Sequence, residues 1–243
     1  MGAYMGLGCL AEAVVVPEAC AVAVPTGGDP QSLCLLGCGV TTGFGAATHA
    51  AAVCPGEVVA VFGCGAVGLS AIQGARLAGA RRVFAIDPDP DRRGLAAELG
   101  ATDVLDPAAA DPFSEVMSLT GGGADGAIEA VGDPEVMGRL LDAVHPGGTA
   151  VIVGLPDFAS TITVSPFHLL MEKRLTGSIY GSADPHRDFP ILAELYQRGR
   201  LRLDELTGGR YTLDEVNDAI AELAEGRSPR PVITFGDPRG GEG

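Results

Sequence analysis

The chain has 243 residues, of which 47% are hydrophobic and 19% are charged. This balance excludes an intrinsically disordered chain, and the length predicts one or two globular domains. The formal net charge is −15, and a strongly negative surface repels nucleic-acid phosphate and anionic lipid. No apolar run approaches the roughly 18 residues that a membrane span needs. We therefore expect neither a nucleic-acid nor a membrane partner.

The six cysteines all lie in the first 64 residues, and none forms a C-x-x-C pair. A disulfide framework is typical of short secreted chains, so reduced thiols in a cytoplasmic protein fit this sequence better. We therefore expect a cytoplasmic location.

The predicted elements fall into three regions. Residues 12–25 predict two short strands interrupted by prolines, and residues 31–50 begin as a helix and then become rich in Gly and Thr. From residue 56, buried strands are predicted at 58–62, 82–86, 126–129, 149–153 and 175–179. Helices are predicted between them at 67–78, 91–99, 112–119 and 134–144. The tail adds amphipathic helices at 189–197 and 213–224 and a strand at 231–235. Such alternation predicts an α/β fold with right-handed βαβ units and a parallel sheet.

A glycine motif follows the first buried strand. Gly63-Cys64-Gly65-Ala66-Val67-Gly68 matches G-x-G-x-x-G between a strand and a helix, which is the arrangement of a dinucleotide-binding turn. Gly63 permits a tight turn, Gly65 lets the backbone approach a pyrophosphate, and Gly68 lets the helix pack closely on the strand. The helix N-terminus offers N–H groups to the phosphates. We expect Gly63, Gly65, Ala66, Val67 and Gly68 to bind the cofactor.

Asp87 ends the second buried strand, 19 residues after Gly68. A carboxyl group at this place accepts hydrogen bonds from the adenosine ribose hydroxyls. It also disfavours NADP, because a 2′-phosphate would place like charges together at a cost of about 4 kcal/mol per pair. The alternative is an ordinary turn residue in the stretch Asp87-Pro88-Asp89-Pro90. The sequence therefore predicts NAD as the cofactor.

Five segments resemble the zinc-dependent alcohol dehydrogenases of the medium-chain dehydrogenase/reductase family. They are LGCGVTTGFGA at 36–46, VFGCGAVGLS at 61–70, ELGAT at 98–102, VIVG at 151–154 and GRSPR at 226–230. The resemblance extends from about residue 6 to residue 235. It implies a doubly wound Rossmann sheet with remnants of a GroES-like catalytic domain at both ends. The implied division is 1–35 (catalytic remnant), 36–181 (NAD-binding domain) and 182–243 (segment returning to the catalytic domain).

The resemblance also implies roles for residues outside the glycine motif. Cys38 resembles a ligand of the catalytic zinc, and Thr42 resembles the residue that packs against nicotinamide. Val67 resembles the side chain behind the nicotinamide ring. Ser178 and Tyr180 lie where the backbone binds the carboxamide.

Two arginines complete the cofactor residues that the resemblance implies. Arg92 resembles the basic residue at the adenosine ribose, and Arg230 resembles the arginine that contacts the pyrophosphate. Glu129, which follows a predicted strand, is interpreted as an ordinary loop acid.

The family's other zinc ligands precede the region that this chain matches, so the resemblance implies an incomplete zinc site with Cys38 alone. One thiolate cannot hold a catalytic zinc, which needs three protein ligands. We therefore expect an NAD-dependent alcohol dehydrogenase fragment that is inactive alone, with a small alcohol or aldehyde as substrate. The family's assembly implies a homodimer or homotetramer. An NAD(H)-binding module without turnover and a zinc-free reductase remain alternatives. The apolar residues of 189–196 are expected to form an exposed patch.

Overall fold

The structure is a computed structural model that describes residues 8–25, 27–226 and 230–236. Its contacts divide the chain into two units. One unit is Gly37–Asp184, and the other combines Met1–Leu36 with Pro185–Gly243.

The unit Gly37–Asp184 is built on a six-stranded parallel sheet in the order β3-β2-β1-β4-β5-β6. The strands are β1 (Val58–Phe62), β2 (Arg82–Ile86), β3 (Asp103–Leu105), β4 (Ala124–Glu129), β5 (Val144–Ile152) and β6 (Arg174–Gly177). This order reverses direction beside β1, as in a doubly wound dinucleotide-binding fold. The predicted Rossmann sheet is confirmed.

Nine α-helices occur among the described residues. They are α1 (Pro30–Leu33), α2 (Gly39–Gly45), α3 (Ala66–Leu77), α4 (Pro90–Glu98), α5 (Pro112–Thr120), α6 (Pro134–Arg139), α7 (Pro166–Leu170), α8 (Pro185–Gln197) and α9 (Val216–Ala224). The sequence Asp-Pro starts α4, α5 and α6. The aspartate side chain accepts N–H groups of the first turn, and proline at the first helical position needs no acceptor. These pairs fix where the connecting helices begin.

The core of this unit lies around the central strands. All five residues of β1 are buried, and Phe62 stacks on Phe113 of α5 with ring centroids 4.7 Å apart. Phe84 and Leu140 are fully buried in the same apolar cluster. This packing holds the carboxyl ends of β1, β2 and β4 side by side.

The second unit contains α8, α9 and a short parallel pair, β7 (Arg210–Tyr211) and β8 (Val232–Ile233). The predicted apolar patch of α8 is wrong in part. Leu192 is 1% exposed, and Phe189, Leu195 and Tyr196 are half-buried, whereas Ile191 is 47% exposed. Most of that helix face is therefore covered.

Residues 12–25 do not form the two predicted strands. Apart from a 3-10 turn at Glu18–Cys20, their described backbone is irregular. Val15 is 98% exposed, and Pro17 and Pro25 have no N–H to donate to a neighbouring strand. An apolar, β-branched run becomes a strand only where a partner strand receives its backbone groups.

Among the described residues, no single helix is long and apolar enough to cross a membrane. A bent pair of helical segments, 30–37 and 39–50, meets the length and composition criteria only when the two are taken together.

Candidate functional site

The glycine motif forms the turn between β1 and α3. Gly63 has a φ of +92°, which L side chains rarely adopt, and its N–H donates to the carbonyl of Ile86 at 2.8 Å. The turn enters α3 at Ala66, which is buried, with Gly65 at the N-cap position and no side chain capping the helix. The first N–H groups of α3 are therefore available to an acceptor outside the protein.

The other two glycines of the motif differ in the space around them. A Cβ on Gly68 would lie 1.8 Å from the carbonyl oxygen of Gly63, so only glycine allows α3 to pack this closely. A Cβ on Gly65 would meet no atom within 4 Å. Gly65 thus borders open space at the helix N-terminus, where a diphosphate fits without displacing protein atoms.

Asp87 directly follows β2 and is 4% exposed. Its Oδ2 accepts the N–H of Cys64 at 2.7 Å, and its Oδ1 accepts the N–H of Asp89 at 2.9 Å. Arg93 donates to the main-chain carbonyl of Asp87 at 2.6 Å and pairs with Asp106 at 3.1 Å. The carboxyl group therefore braces the glycine turn, and each of its oxygens keeps capacity for one more donor.

A cleft of about 330 Å³ brings these predicted residues together. Gly63, Gly65, Asp87 and Arg92 line it. Its apolar lining was not predicted from the sequence and consists of Phe62, Ile86, Pro88, Pro107, Pro112, Phe113, Ala130, Val131 and Val136. Several of these residues follow the carboxyl end of a parallel strand, which is where open α/β sheets bind ligands. That rule was the available signal for Ala130 and Val131.

The helix α2 packs closely on α3 near Val67. A Cβ on Gly43 would lie 1.9 Å from the Val67 carbonyl oxygen, so the two helix backbones nearly touch. Thr42 precedes Gly43 and, like Val67, is half-buried. The structure therefore brings the elements that carry these two predicted residues side by side.

A strained turn follows β6. Tyr180, Gly181 and Ser182 have φ values of 57°, 70° and 53°. A Cβ on Gly181 would lie 2.3 Å from the Thr41 carbonyl oxygen, so this turn packs directly on α2. Ser178 is buried, and its hydroxyl lies 2.9 Å from that of Ser182. Left-handed residues of this kind cluster at functional sites. The turn carries Tyr180, and the other predicted carboxamide-binding position, Ser178, contacts it through Ser182.

Cys38 is exposed at the N-cap position of α2, and its carbonyl accepts the N–H of Thr42 at 2.9 Å. The Tyr180 hydroxyl donates to the carbonyl of the preceding Gly37 at 2.9 Å. Burial, and then the charge of the Cys38 thiol, raises the pKa of Tyr180.

The described residues do not fit a catalytic zinc. No group of three or more His, Cys, Asp or Glu side chains in that part of the chain is placed to hold a metal ion. Cys64 is buried, and burial raises its pKa to about 12, so it is a poor thiolate donor. No chemical step through zinc is therefore derived from the described residues.

The structure places Glu129 differently from its interpretation in the sequence, and it places Arg230 outside the unit that contains the cleft. Glu129 is the last residue of β4 and is fully buried, so it is not a solvated loop acid. Arg230 belongs to the second unit, where it is half-buried and its carbonyl accepts the N–H of Gly208 at 2.6 Å. Residues 227–229 of the motif that carries Arg230 lie outside the described residues.

The fold and this cleft define a nucleotide-binding α/β protein, and comparison with known proteins gives the family. The sequence model of the zinc-binding dehydrogenases matches residues 66–198. This chain belongs to the zinc-binding dehydrogenase family, whose members are zinc-dependent and bind NAD(P). The resemblance to zinc-dependent alcohol dehydrogenases is confirmed.

Individual relatives extend the match over nearly the whole chain. The S-(hydroxymethyl)glutathione dehydrogenase of Synechocystis sp. is 37% identical over 235 residues, covering 96% of this chain and 64% of the relative. An alcohol dehydrogenase zinc-binding domain protein from Burkholderia ambifaria has a TM-score of 0.89 at 35% identity, covering 92% of this chain and 60% of that one. Benzyl alcohol dehydrogenase from Acinetobacter calcoaceticus has a TM-score of 0.85 at 35% identity, covering 88% and 59%. The chain thus spans between 59% and 64% of these relatives.

Proposed function

We propose that this chain carries the NAD-binding part of a zinc-dependent alcohol dehydrogenase, which transfers hydride between an alcohol or aldehyde and nicotinamide. The observation that carries the proposal is the open space at Gly65, bordered by the N-terminus of α3 and by the buried carboxyl group of Asp87. Bound NAD would supply the hydride acceptor.

In this proposal, each part of the cleft has a binding task. The N–H groups at Gly65, Ala66 and Val67 receive the diphosphate, and Gly63 and Gly68 keep the turn and helix in place. Asp87 accepts the adenosine ribose hydroxyls and Arg92 lies beside them. The remaining proposed contacts are Thr42, Ser178 and Tyr180 at the nicotinamide end. Arg230 is proposed, on the resemblance alone, as a contact of the pyrophosphate.

The proposal assigns zinc to the complete enzyme, with Cys38 as one ligand, and assigns no zinc chemistry to the described residues. A specific observation favours a second function for this chain itself, since those residues contain no three-ligand cluster. NAD(H) binding without turnover is therefore the alternative. A zinc-free reductase is less well supported, because Cys38 lies in the motif that resembles a zinc ligand.

The domain division, the assembly and the location of the protein are also proposals. We propose residues 1–35 and 182–243 as parts of a catalytic domain around a coenzyme domain at 36–181. The parallel sheet ends at β6, so a homodimer or homotetramer through this edge is proposed. Ile179, which follows β6 closely, is 94% exposed and supports such an interface. A cytoplasmic location and the absence of nucleic-acid and membrane partners complete the proposal.

Titration of Asp87→Asn with NAD and NADP tests the ribose assignment. Asparagine keeps one acceptor oxygen but places an NH₂ group against a backbone N–H, and it removes the charge that repels a 2′-phosphate. We expect NAD to bind about tenfold more weakly and the preference for NAD over NADP to fall. Isothermal titration calorimetry of the parent and the variant gives both affinities.

Asp133→Ser is the matched control, because serine can still cap α6 while one acidic charge is removed. It should leave the NAD/NADP ratio unchanged. An unchanged ratio in Asp87→Asn would show that the ribose assignment is wrong. Alcohol oxidation measured beside the titration separates the dehydrogenase from the binding module.

A further inference from the structure

Glu129 connects two loops at the carboxyl edge of the sheet. Its Oε1 accepts the N–H of Val131 at 2.7 Å and that of Gly132 at 2.6 Å. Its main-chain carbonyl accepts the N–H of Val153 at 2.9 Å and that of Gly154 at 3.0 Å. One fully buried residue thus fixes the backbone after β4 and the backbone after β5.

The second oxygen of this carboxyl group is unusual. The Oε2 of Glu129 is buried and has no hydrogen-bond partner among the described residues. A Cβ on Gly154 would lie 2.7 Å from this oxygen and 2.2 Å from the Gly132 nitrogen. An unpaired buried oxygen is unfavourable, so an apolar residue would serve better if the position only filled space. The two hydrogen bonds that Oε1 accepts therefore explain why an acceptor side chain, and not an apolar one, occupies this position.

Pairing with an opposite charge does not explain why a glutamate occupies position 129. Burial raises the pKa of Glu129, and neighbouring backbone N–H groups, those of Gly132 and Val131 first, oppose this shift. No charged side chain among the described residues contributes to it. The neighbours of Glu129 in the sheet are Phe62 of β1 and Ile152 of β5, which are both apolar. The nearby Asp133 affects the pKa of Glu129 through its backbone only.

The loop that Glu129 holds forms a wall of the coenzyme cleft. Ala130 and Val131 line the cleft together with Gly63 and Gly65 of the glycine turn. A Cβ on Gly63 would lie 2.9 Å from Cγ2 of Val131 and 3.1 Å from the Ala130 carbonyl oxygen. A shift of the loop by a few tenths of an ångström therefore changes the cleft where the diphosphate is proposed to bind.

We infer that Glu129 is a positioning residue for the coenzyme, because its Oε1 holds residues 130–132 in the position that shapes the cleft. This inference rests on the proposed binding of NAD. It requires the length and the acceptor oxygen of the side chain and does not require its charge.

Two conservative variants separate these properties. Glu129→Gln keeps the length and one acceptor oxygen, so its affinity for NAD should stay within about threefold of the parent. Glu129→Asp keeps the charge but is one methylene shorter, so it leaves the N–H groups of Val131 and Gly132 without their acceptor. We expect Glu129→Asp to bind NAD at least about tenfold more weakly. Isothermal titration with NAD measures both.

Asp125→Asn is the matched control, because Asp125 lies near the start of the same strand and its Oδ2 accepts the N–H of Val58 at 2.7 Å. This variant should lower stability and leave NAD affinity unchanged. Amide hydrogen exchange gives a readout without NAD: Val131 and Gly132 should exchange faster in Glu129→Asp and at the parent rate in Glu129→Gln.

Each outcome decides the inference. It is overturned if Glu129→Asp matches the parent in affinity or in exchange, or if Glu129→Gln loses either. If Glu129→Asp does not fold, retained affinity and exchange in Glu129→Gln support the inference, and their loss overturns it. A parent chain that does not bind NAD contradicts the proposed function, while exchange at Val131 and Gly132 still tests whether Glu129 holds the loop.

Discussion

At the scale of single residues, the glycines of the turn perform separate physical tasks. Gly63 supplies a left-handed backbone, Gly68 supplies close packing, and Gly65 borders open space. Of the three, Gly65 alone is not required as glycine by the backbone conformation or by packing. This difference lets substitutions test folding and ligand binding independently.

Gly68→Ala tests the packing task. The added methyl group would lie 1.8 Å from the Gly63 carbonyl oxygen, so α3 must move away from the end of β1. Overpacking of this kind destabilises by about 1–3 kcal/mol. We expect a lower midpoint in urea unfolding followed by circular dichroism. A midpoint equal to that of the parent would show that the helix is free to move.

Asp87, which is proposed to bind the ribose, also has a structural role. Because its two oxygens already accept N–H groups from Cys64 and Asp89, its orientation is fixed before any ligand arrives. Such preorganisation lowers the entropic cost of binding.

At the scale of elements, hydrogen bonds at the amino ends of strands tie the sheet together. His145 in β5 contacts Asp125 in β4 at 3.0 Å, and Asp125 accepts the N–H of Val58 at the start of β1. The hydrogen bond to the Asp125 side chain, and then the one to the Pro146 carbonyl, raise the pKa of His145, while burial lowers it. Three neighbouring strands are linked in this way.

This linkage predicts a pH-dependent contribution to stability. A histidine whose pKa is raised on folding contributes stability that is fully present below its unfolded pKa of about 6.5. The contribution is lost as pH rises through the folded pKa. The stability difference between the parent and Asp125→Asn should therefore be larger at pH 6 than at pH 8.5, as measured by urea unfolding. His145→Gln lacks the titrating group, so it should likewise differ from the parent more at pH 6 than at pH 8.5, whereas adding Asp125→Asn to His145→Gln should have the same effect at both pH values. A pH-independent difference between the parent and Asp125→Asn would contradict the assignment.

The central elements could be predicted from sequence because their signals are local. The runs at 58–62 and 82–86 are short, apolar and bounded by turns, and they form β1 and β2 with those bounds. The strand β3 was not located, because it has only three residues and Val104 is 43% exposed. Residues 12–25 have β-branched composition but lack a partner strand among the described residues, so composition alone misled.

The candidate site likewise contains residues that could be predicted from the sequence and residues that could not. The glycine turn and Asp87 follow from spacing along the chain. The cleft wall at Ala130 and Val131 depends on which strands are neighbours, and the burial of Glu129 depends on the fit between two glycine-containing loops. Such tertiary contacts leave no periodic pattern in the sequence.

At the scale of the whole molecule, the chain contains a formed cleft, the proposed coenzyme site, within one of its two units. It lacks a three-ligand metal cluster among the described residues. Its relatives are longer, and it spans 64% of the Synechocystis enzyme. Cofactor binding can therefore be tested on this chain separately from hydride transfer.

The most direct test is titration of NAD into Gly65→Ala beside the parent and Gly94→Ala. Gly65 has a φ of −74° and no atom within 4 Å of a Cβ, so alanine fits the fold and occupies only the proposed diphosphate space. Gly94 in α4 is likewise unobstructed and is exposed, which makes it the matched control. We predict that Gly65→Ala binds NAD at least about tenfold more weakly, with a stability within about 0.5 kcal/mol of the parent, and that Gly94→Ala binds like the parent. Equal affinity in Gly65→Ala and the parent, or a parent that does not bind NAD, would contradict the account.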